Sequence, residues 1–226
     1  MARKRSEETR ERITDAAVSL FARKGYAQTT MREIAKEAQV SVGASYYYFN
    51  SKEAIVLEFY VRTQGKLDEQ ASEIFAETRD LKERVSRLIR FQMEFFAPYR
   101  DFFRILAAAS ADPDNELSPF SERTAEIREK SIAVYERALD GCKQKIPDDL
   151  RPHLPRLLWL YHMGLVLFWL WDNSREFKRT DLLLNGSIAL VIKLLEASRL
   201  PLMKTMRKSM VSLLGDLFED GNSKEK

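Results

Sequence analysis

The sequence predicts an all-α protein, with a small three-helix unit at the N-terminus and a larger helical bundle after it. Three observations carry this. Strand signals are lacking: there are no alternating β-branched runs, and Asp-Gly turns occur only at 140–141 and 220–221. Apolar residues recur instead three and four positions apart, the spacing that gathers them on one side of a helix. Pro98, Pro113, Pro119, Pro147, Pro152, Pro155 and Pro201 fall at or near the edges of the periodic segments, where a missing N–H is tolerated.

Taken in order, Ile13, Ala16, Ala17, Leu20 and Phe21 make a first stripe, and Gly25 is its C-terminal stop. "MREIAKEA" is a second, short segment with Ile34, Ala35 and Ala38 on one face, and "SVGASYYYF" is a third. A long periodic run follows from Lys52 to Glu77. Further helices are expected near 80–97, 99–111, 119–143, 150–173, 180–199 and 201–218, ahead of a disordered tail at 220–226. The organisation expected is an N-terminal unit at 1–51 and a larger domain at 52–219.

Charge is placed unevenly. Residues 1–53 hold ten Lys or Arg against seven Asp or Glu, which accounts for the whole net charge of +3. A basic leader, "ARKR", with Arg3 and Arg5, ahead of a compact unit suits a polyanion. The single cysteine, Cys142, excludes an intramolecular disulfide and a cysteine metal cluster. "MARKRSEETRERITDAA" is charged and has no apolar core region, so it does not read as a secretory signal, and a cytoplasmic location is expected.

Caps delimit the N-terminal motif. Thr30 stands three residues before Glu33, the spacing of a reciprocal capping box; Ser41 can cap the next helix, and Asn50, three before Glu53, the long one. Two short helices with a tight turn at "AQVS" are the layout of a helix-turn-helix, whose second helix enters the major groove of DNA. The triplet Tyr46, Tyr47, Tyr48 lies in that second helix. Residues about 100° apart cannot all face one core, so some of the rings must meet solvent or a partner.

"AAVSLFARKGYAQTTMREIAKEAQVSVG" and "YYYFNSKEA", within residues 9–55, resemble the DNA-binding domain of the TetR family of transcriptional regulators. The resemblance implies a dimeric repressor of near-palindromic operator DNA that a small effector releases. It implies that Tyr46 and Tyr48 send hydroxyls to phosphates while Tyr47 enters the groove to meet a thymine methyl or a base edge. Thr30 and Lys52 add phosphate contacts, Gly43 permits close approach, and Val42, Ala44 and Ser45 complete the exposed surface. Gln39 holds the turn position often given to glycine, and Ser45 stands where the family more often has an apolar residue. Between Val42 and Tyr48 there is no Arg, Asn or Gln, so bidentate readout of guanine or adenine is not available there.

"LPRLLWLYHMGLVLFWLWDN", residues 154–173, is the most apolar stretch. It is shorter than a membrane span needs and is read as a helix buried on all sides. In the next helix Leu183, Ser187, Leu190 and Leu194 share a stripe. With Gly164 allowing close approach, the pair doubled across a two-fold axis would make a four-helix interface. Crowded aromatics suggest an apolar or aromatic effector site using Phe91, Phe95, Phe103, Tyr135, Trp159 and His162, with ordinary core as the competing account. An enzyme is disfavoured: His153 and His162 are nine apart rather than a metal-binding i,i+4 pair, and Cys142 has no histidine nearby, so no catalytic or metal residue and no cofactor is expected. A regulator controlled by a protein partner, or by nothing, is the other alternative.

Overall fold

The computed structural model describes residues 2–109 and 115–219. Among them the chain is helical throughout, without a strand: α1 (Ala2–Lys24), α2 (Met31–Glu37), α3 (Val42–Tyr48), α4 (Lys52–Glu77), α5 (Leu81–Phe96), α6 (Arg100–Ala109), α7 (Ala125–Leu139), α8 (Leu154–Trp171), α9 (Lys178–Ala197) and α10 (Lys204–Glu219). Each predicted helix is present, and single 3-10 turns precede α6, α7, α9 and α10. The basic "ARKR" leader is the start of α1. Arg5 is exposed there and its carbonyl accepts from the Thr9 hydroxyl, whereas the Arg3 side chain and the 220–226 tail lie outside the described residues.

The chain packs as two compact units, residues 1–67 with 93–130, and residues 68–92 with 131–226. In the first, Ile13, Ala17 and Phe21 of α1, Ile34 and Ala35 of α2, Phe49, and Ile55 and Phe59 of α4 are buried together with Phe102 of α6. Ring contacts tie the set: Phe21 to Phe102 at 5.4 Å, Phe59 to Tyr99 at 5.1 Å, and Phe96 to Phe103 at 4.1 Å. Gly25, at φ +89, ends α1 as anticipated, its N–H donating to Phe21.

In the second unit, α8 buries Leu158, Trp159, His162, Leu165, Val166 and Trp169, and α9 buries Leu184, Ile188, Ile192 and Leu195. Among the described residues Arg84 is buried without a carboxylate partner. Its guanidinium donates to the carbonyls of Phe75, Thr78, Ala138 and Asp140, so the C-terminal ends of α4 and α7 share one cation. Arg137 reaches Asp68 and, at 2.7 Å, Ser72 of α4. The expectation that α8 is enclosed on all sides is corrected: Leu160, Leu167, Phe168 and Trp171 are exposed on it. A run apolar all round cannot say which of its sides its own chain will cover.

Candidate nucleic-acid interface

Local chemistry fixes the motif at both ends. The Glu33 N–H donates to Thr30 Oγ1 at 3.3 Å while the Thr30 N–H donates to Glu33 Oε2 at 2.9 Å, completing the capping box. Lys24 also reaches Glu33. That hydrogen bond first, then those from the Thr30 N–H and hydroxyl, pull the Glu33 carboxyl down to about 2.

At the end of α2, Val40 N–H donates to Ala35 at 2.9 Å and Gln39 N–H to Lys36 at 3.2 Å, a Schellman pair. It forces Gln39 to φ 55, so the turn takes its left-handed residue although no glycine is there. A side chain in that region costs about 1 kcal/mol or more. Gln39→Gly is therefore expected to raise stability by about 0.5–1 kcal/mol in chemical denaturation, with operator binding unchanged.

Ser41 Oγ accepts from the Ala44 N–H at 3.0 Å and starts α3. The cap of α4 is Ser51, not Asn50: Ser51 Oγ accepts from the Ala54 N–H at 3.2 Å.

α3 lies with Ser45 and, just beyond its end, Phe49 inward, and with Val42, Gly43, Tyr46 and Tyr47 outward. Tyr47 is 83% exposed and Tyr46 52%; Val42 and Gly43 are exposed, Ala44 and Tyr48 half-buried. The Tyr47 and Tyr48 rings meet edge to face at 5.3 Å, which limits the freedom of Tyr47. Ser45 is corrected: it is fully buried and its hydroxyl donates to the Val42 carbonyl at 2.8 Å, so it packs rather than joining the exposed surface. Phe49 is buried beneath the Arg10 guanidinium, 4.6 Å from the ring centre, and Arg10 is held by Glu58.

Thr30 is exposed at the start of α2. Lys52 is anchored, its ammonium donating to the Tyr26 carbonyl at 2.7 Å and lying over that ring at 4.5 Å. The sequence reading passed over Arg32 and Lys36, exposed one turn apart on α2; that i,i+4 pair of cations beside the caps was the available signal.

The aromatic candidates divide between the units. Phe95 and Phe103 belong to the first, where Phe103 is packed among Phe59, Phe96 and Phe102. Phe91, Tyr135, Trp159 and His162 belong to the second. There Tyr135 and His162 are buried with ring centres 5.9 Å apart; burial pushes the Tyr135 phenol up and the His162 imidazole down to about 4. A groove of about 510 Å³ between α7 and the start of α8 is lined by Glu136, Arg151, His153 and Arg156 among others, and by none of these aromatics.

Of the interface candidates, Leu183, Leu190 and Leu194 are exposed on α9 and Gly164 on α8; the Ser187 hydroxyl is engaged with the Tyr161 hydroxyl at 2.7 Å and the Leu183 carbonyl. Exposed Leu160, Leu167, Phe168 and Trp171 of α8 extend the apolar surface beyond those five residues.

A capped pair of short helices with an outward aromatic second helix defines a helix-turn-helix regulator of transcription. The chain belongs to the TetR family: residues 13–59 match "Bacterial regulatory proteins, tetR family" and residues 84–211 match "Tetracyclin repressor-like, C-terminal domain". It is 37% identical over 112 residues to the HTH-type transcriptional regulator YerO of Bacillus subtilis, a match covering 48% of this chain and 38% of YerO; the chain thus spans about two-fifths of that relative's length. The fold is shared with FadR of Bacillus subtilis, crystallised with stearoyl-CoA (TM-score 0.64, 22% identity, 80% of this chain and 97% of that one). It is likewise shared with Thermus thermophilus FadR, a transcriptional repressor crystallised with lauroyl-CoA (TM-score 0.53, 26% identity, 77% and 92%).

Proposed function

We propose that this TetR-family regulator is a repressor that binds a near-palindromic operator as a homodimer and is released by a small, largely apolar effector. The observation that carries the DNA-binding part is the outward face of α3. Two large tyrosines stand in solvent on a helix pinned by Ser41 and by buried Phe49, where a packing role would have turned them inward. Val42, Gly43, Ala44 and Tyr47 meet the groove, and Thr30, Tyr46, Tyr48 and Lys52 position the phosphates, with Arg32 and Lys36 adding charge. Exposed leucines on α9 beside the apolar side of α8 support a dimer through these helices. Phe91, half-buried, and the buried Tyr135, Trp159 and His162 support an apolar effector, in keeping with the acyl-CoA held by the two FadR proteins.

Sequencing the genomic fragments that the purified protein retains supplies the operator, and titration of that duplex tests the reading. Tyr47→Ala is expected to weaken binding about 10–100-fold, the worth of a base contact, with the salt dependence unchanged because no charge is lost. Arg32→Ala is expected to lower the slope of log K against log salt by about 1. Wild-type affinity in Tyr47→Ala would count against α3 as the reading helix.

A further inference from the structure

Among the described residues of the second unit, His162 presents a buried polar atom with nothing to bind. It is 3% exposed and its Nε2 has no hydrogen-bond partner. Leaving such a group unpaired costs about 1–3 kcal/mol, so a ligand atom that completes the hydrogen bond gains from doing so. Its surroundings are apolar: Leu158 and Trp159 one turn before it on α8, Leu165 and Val166 one turn after, and the Tyr135 ring of α7.

The buried charges of this unit are committed elsewhere. Arg84 is spent on four carbonyls, and Asp172 accepts from Ser174 and Thr180. Neither is a counter-ion for an incoming ligand. The imidazole is a poor one too, since burial holds it neutral at ordinary pH. A carboxylate placed at Nε2 would be a buried and uncompensated charge, whereas a hydroxyl or carbonyl oxygen would complete the missing hydrogen bond without one.

We propose that His162 Nε2 is the polar anchor of the effector site and that it selects an apolar ligand bearing an uncharged oxygen, an alcohol or ester, over the corresponding carboxylate. This rests on the effector reading above and deepens it. The nitrogen donates to a carbonyl or accepts from a hydroxyl according to its tautomer, and the apolar remainder of the ligand meets Trp159 and Tyr135.

The test uses three probes of one chain length, decyl alcohol, methyl decanoate and decanoate, titrated into the full chain at neutral pH with tryptophan fluorescence or calorimetry as readout. The alcohol and ester are expected to bind at least about tenfold tighter than the carboxylate, and His162→Leu to remove that preference by weakening the two neutral probes about tenfold. His162→Gln, which keeps a donor and an acceptor, is expected to retain part of it, and it decides the matter should His162→Leu fail to fold. Equal binding of all three probes, or substitution without effect on binding, overturns the proposal and leaves the effector reading standing. No binding of any probe to the wild type overturns both.

Discussion

Replacing Leu190 and Leu194 together by glutamate is expected to give a folded monomer whose operator affinity falls more than about 100-fold. Both leucines are more than half exposed, on the side of α9 opposite its buried Leu184, Ile188, Ile192 and Leu195. Charges placed there displace no core atom of the protomer, and surface changes of this kind typically alter stability by no more than about 0.5 kcal/mol. In a helix-to-helix interface they would put four carboxylates against an apolar surface without partners, a cost no dimer of modest area survives. The loss of operator binding follows from linkage alone. In the proposed dimer one α3 would read few base pairs, and a second head on the same duplex would bind at an effective concentration that multiplies affinity about 10²–10⁴-fold. Sedimentation velocity reads the mass, and titration of the two-half-site duplex against a single half-site reads the avidity. The wild type should favour the full site strongly and the variant should not distinguish them. The melting temperature of the wild type should rise with protein concentration and that of the variant should not. A variant that remains dimeric would move the interface away from α9.

The helices and two of three caps were legible because their determinants are local. Thr30, Ser41 and Gly25 act on backbone groups within four residues of themselves. The third cap slipped by one residue, from Asn50 to Ser51, since both side chains can accept an N–H and only the packing of Phe49 and Ile55 fixes where α4 begins. The resemblance places Ser45 on the exposed surface, but position 45 lies one turn from Phe49 on the same side, and that spacing points inward. Gln39 shows a backbone requirement overriding a residue preference, because two Schellman hydrogen bonds impose φ 55 on a side chain that disfavours it. For α8 the pattern held no answer: Leu160 and Leu158 are equally apolar, yet one is exposed and the other buried. His162 was legible as an inward residue but not as an orphaned one, since the lack of a partner depends on every element around it.

The second large effect is expected at the corner between α8 and α9. Asp172 is buried, and its carboxylate accepts the Ser174 N–H at 2.8 Å, the Thr180 N–H at 2.9 Å and the Thr180 hydroxyl at 2.7 Å. Between these anchors Glu176 and Phe177 stand at φ 55 and 54, two successive left-handed residues without a glycine, which local preference alone would not hold. Asp172→Ala removes the acceptor, leaves the Thr180 N–H buried and unpaired, and frees both strained residues; a loss of about 3–5 kcal/mol is expected. The pH dependence has a defined sign. Burial works to raise the carboxyl's pKa, but the hydrogen bonds from Ser174 and Thr180 outweigh it and hold it well below the usual carboxylate range. A group depressed in the folded state stabilises fully above its unfolded pKa of about 3.9. That contribution fades as pH falls below this value towards the folded pKa. The wild type should therefore lose stability on acidification below about pH 4 more steeply than Asp172→Asn, which keeps the shape and carries no titrating proton. Melting temperatures of wild type and Asp172→Asn across that range measure the difference, and parallel curves would show that Asp172 does not supply the stabilisation assigned to it. Because the corner sets the entry of α9, its loosening in Asp172→Ala should also weaken the proposed dimer, so that Asp172→Ala behaves as a mild form of the Leu190 and Leu194 double variant.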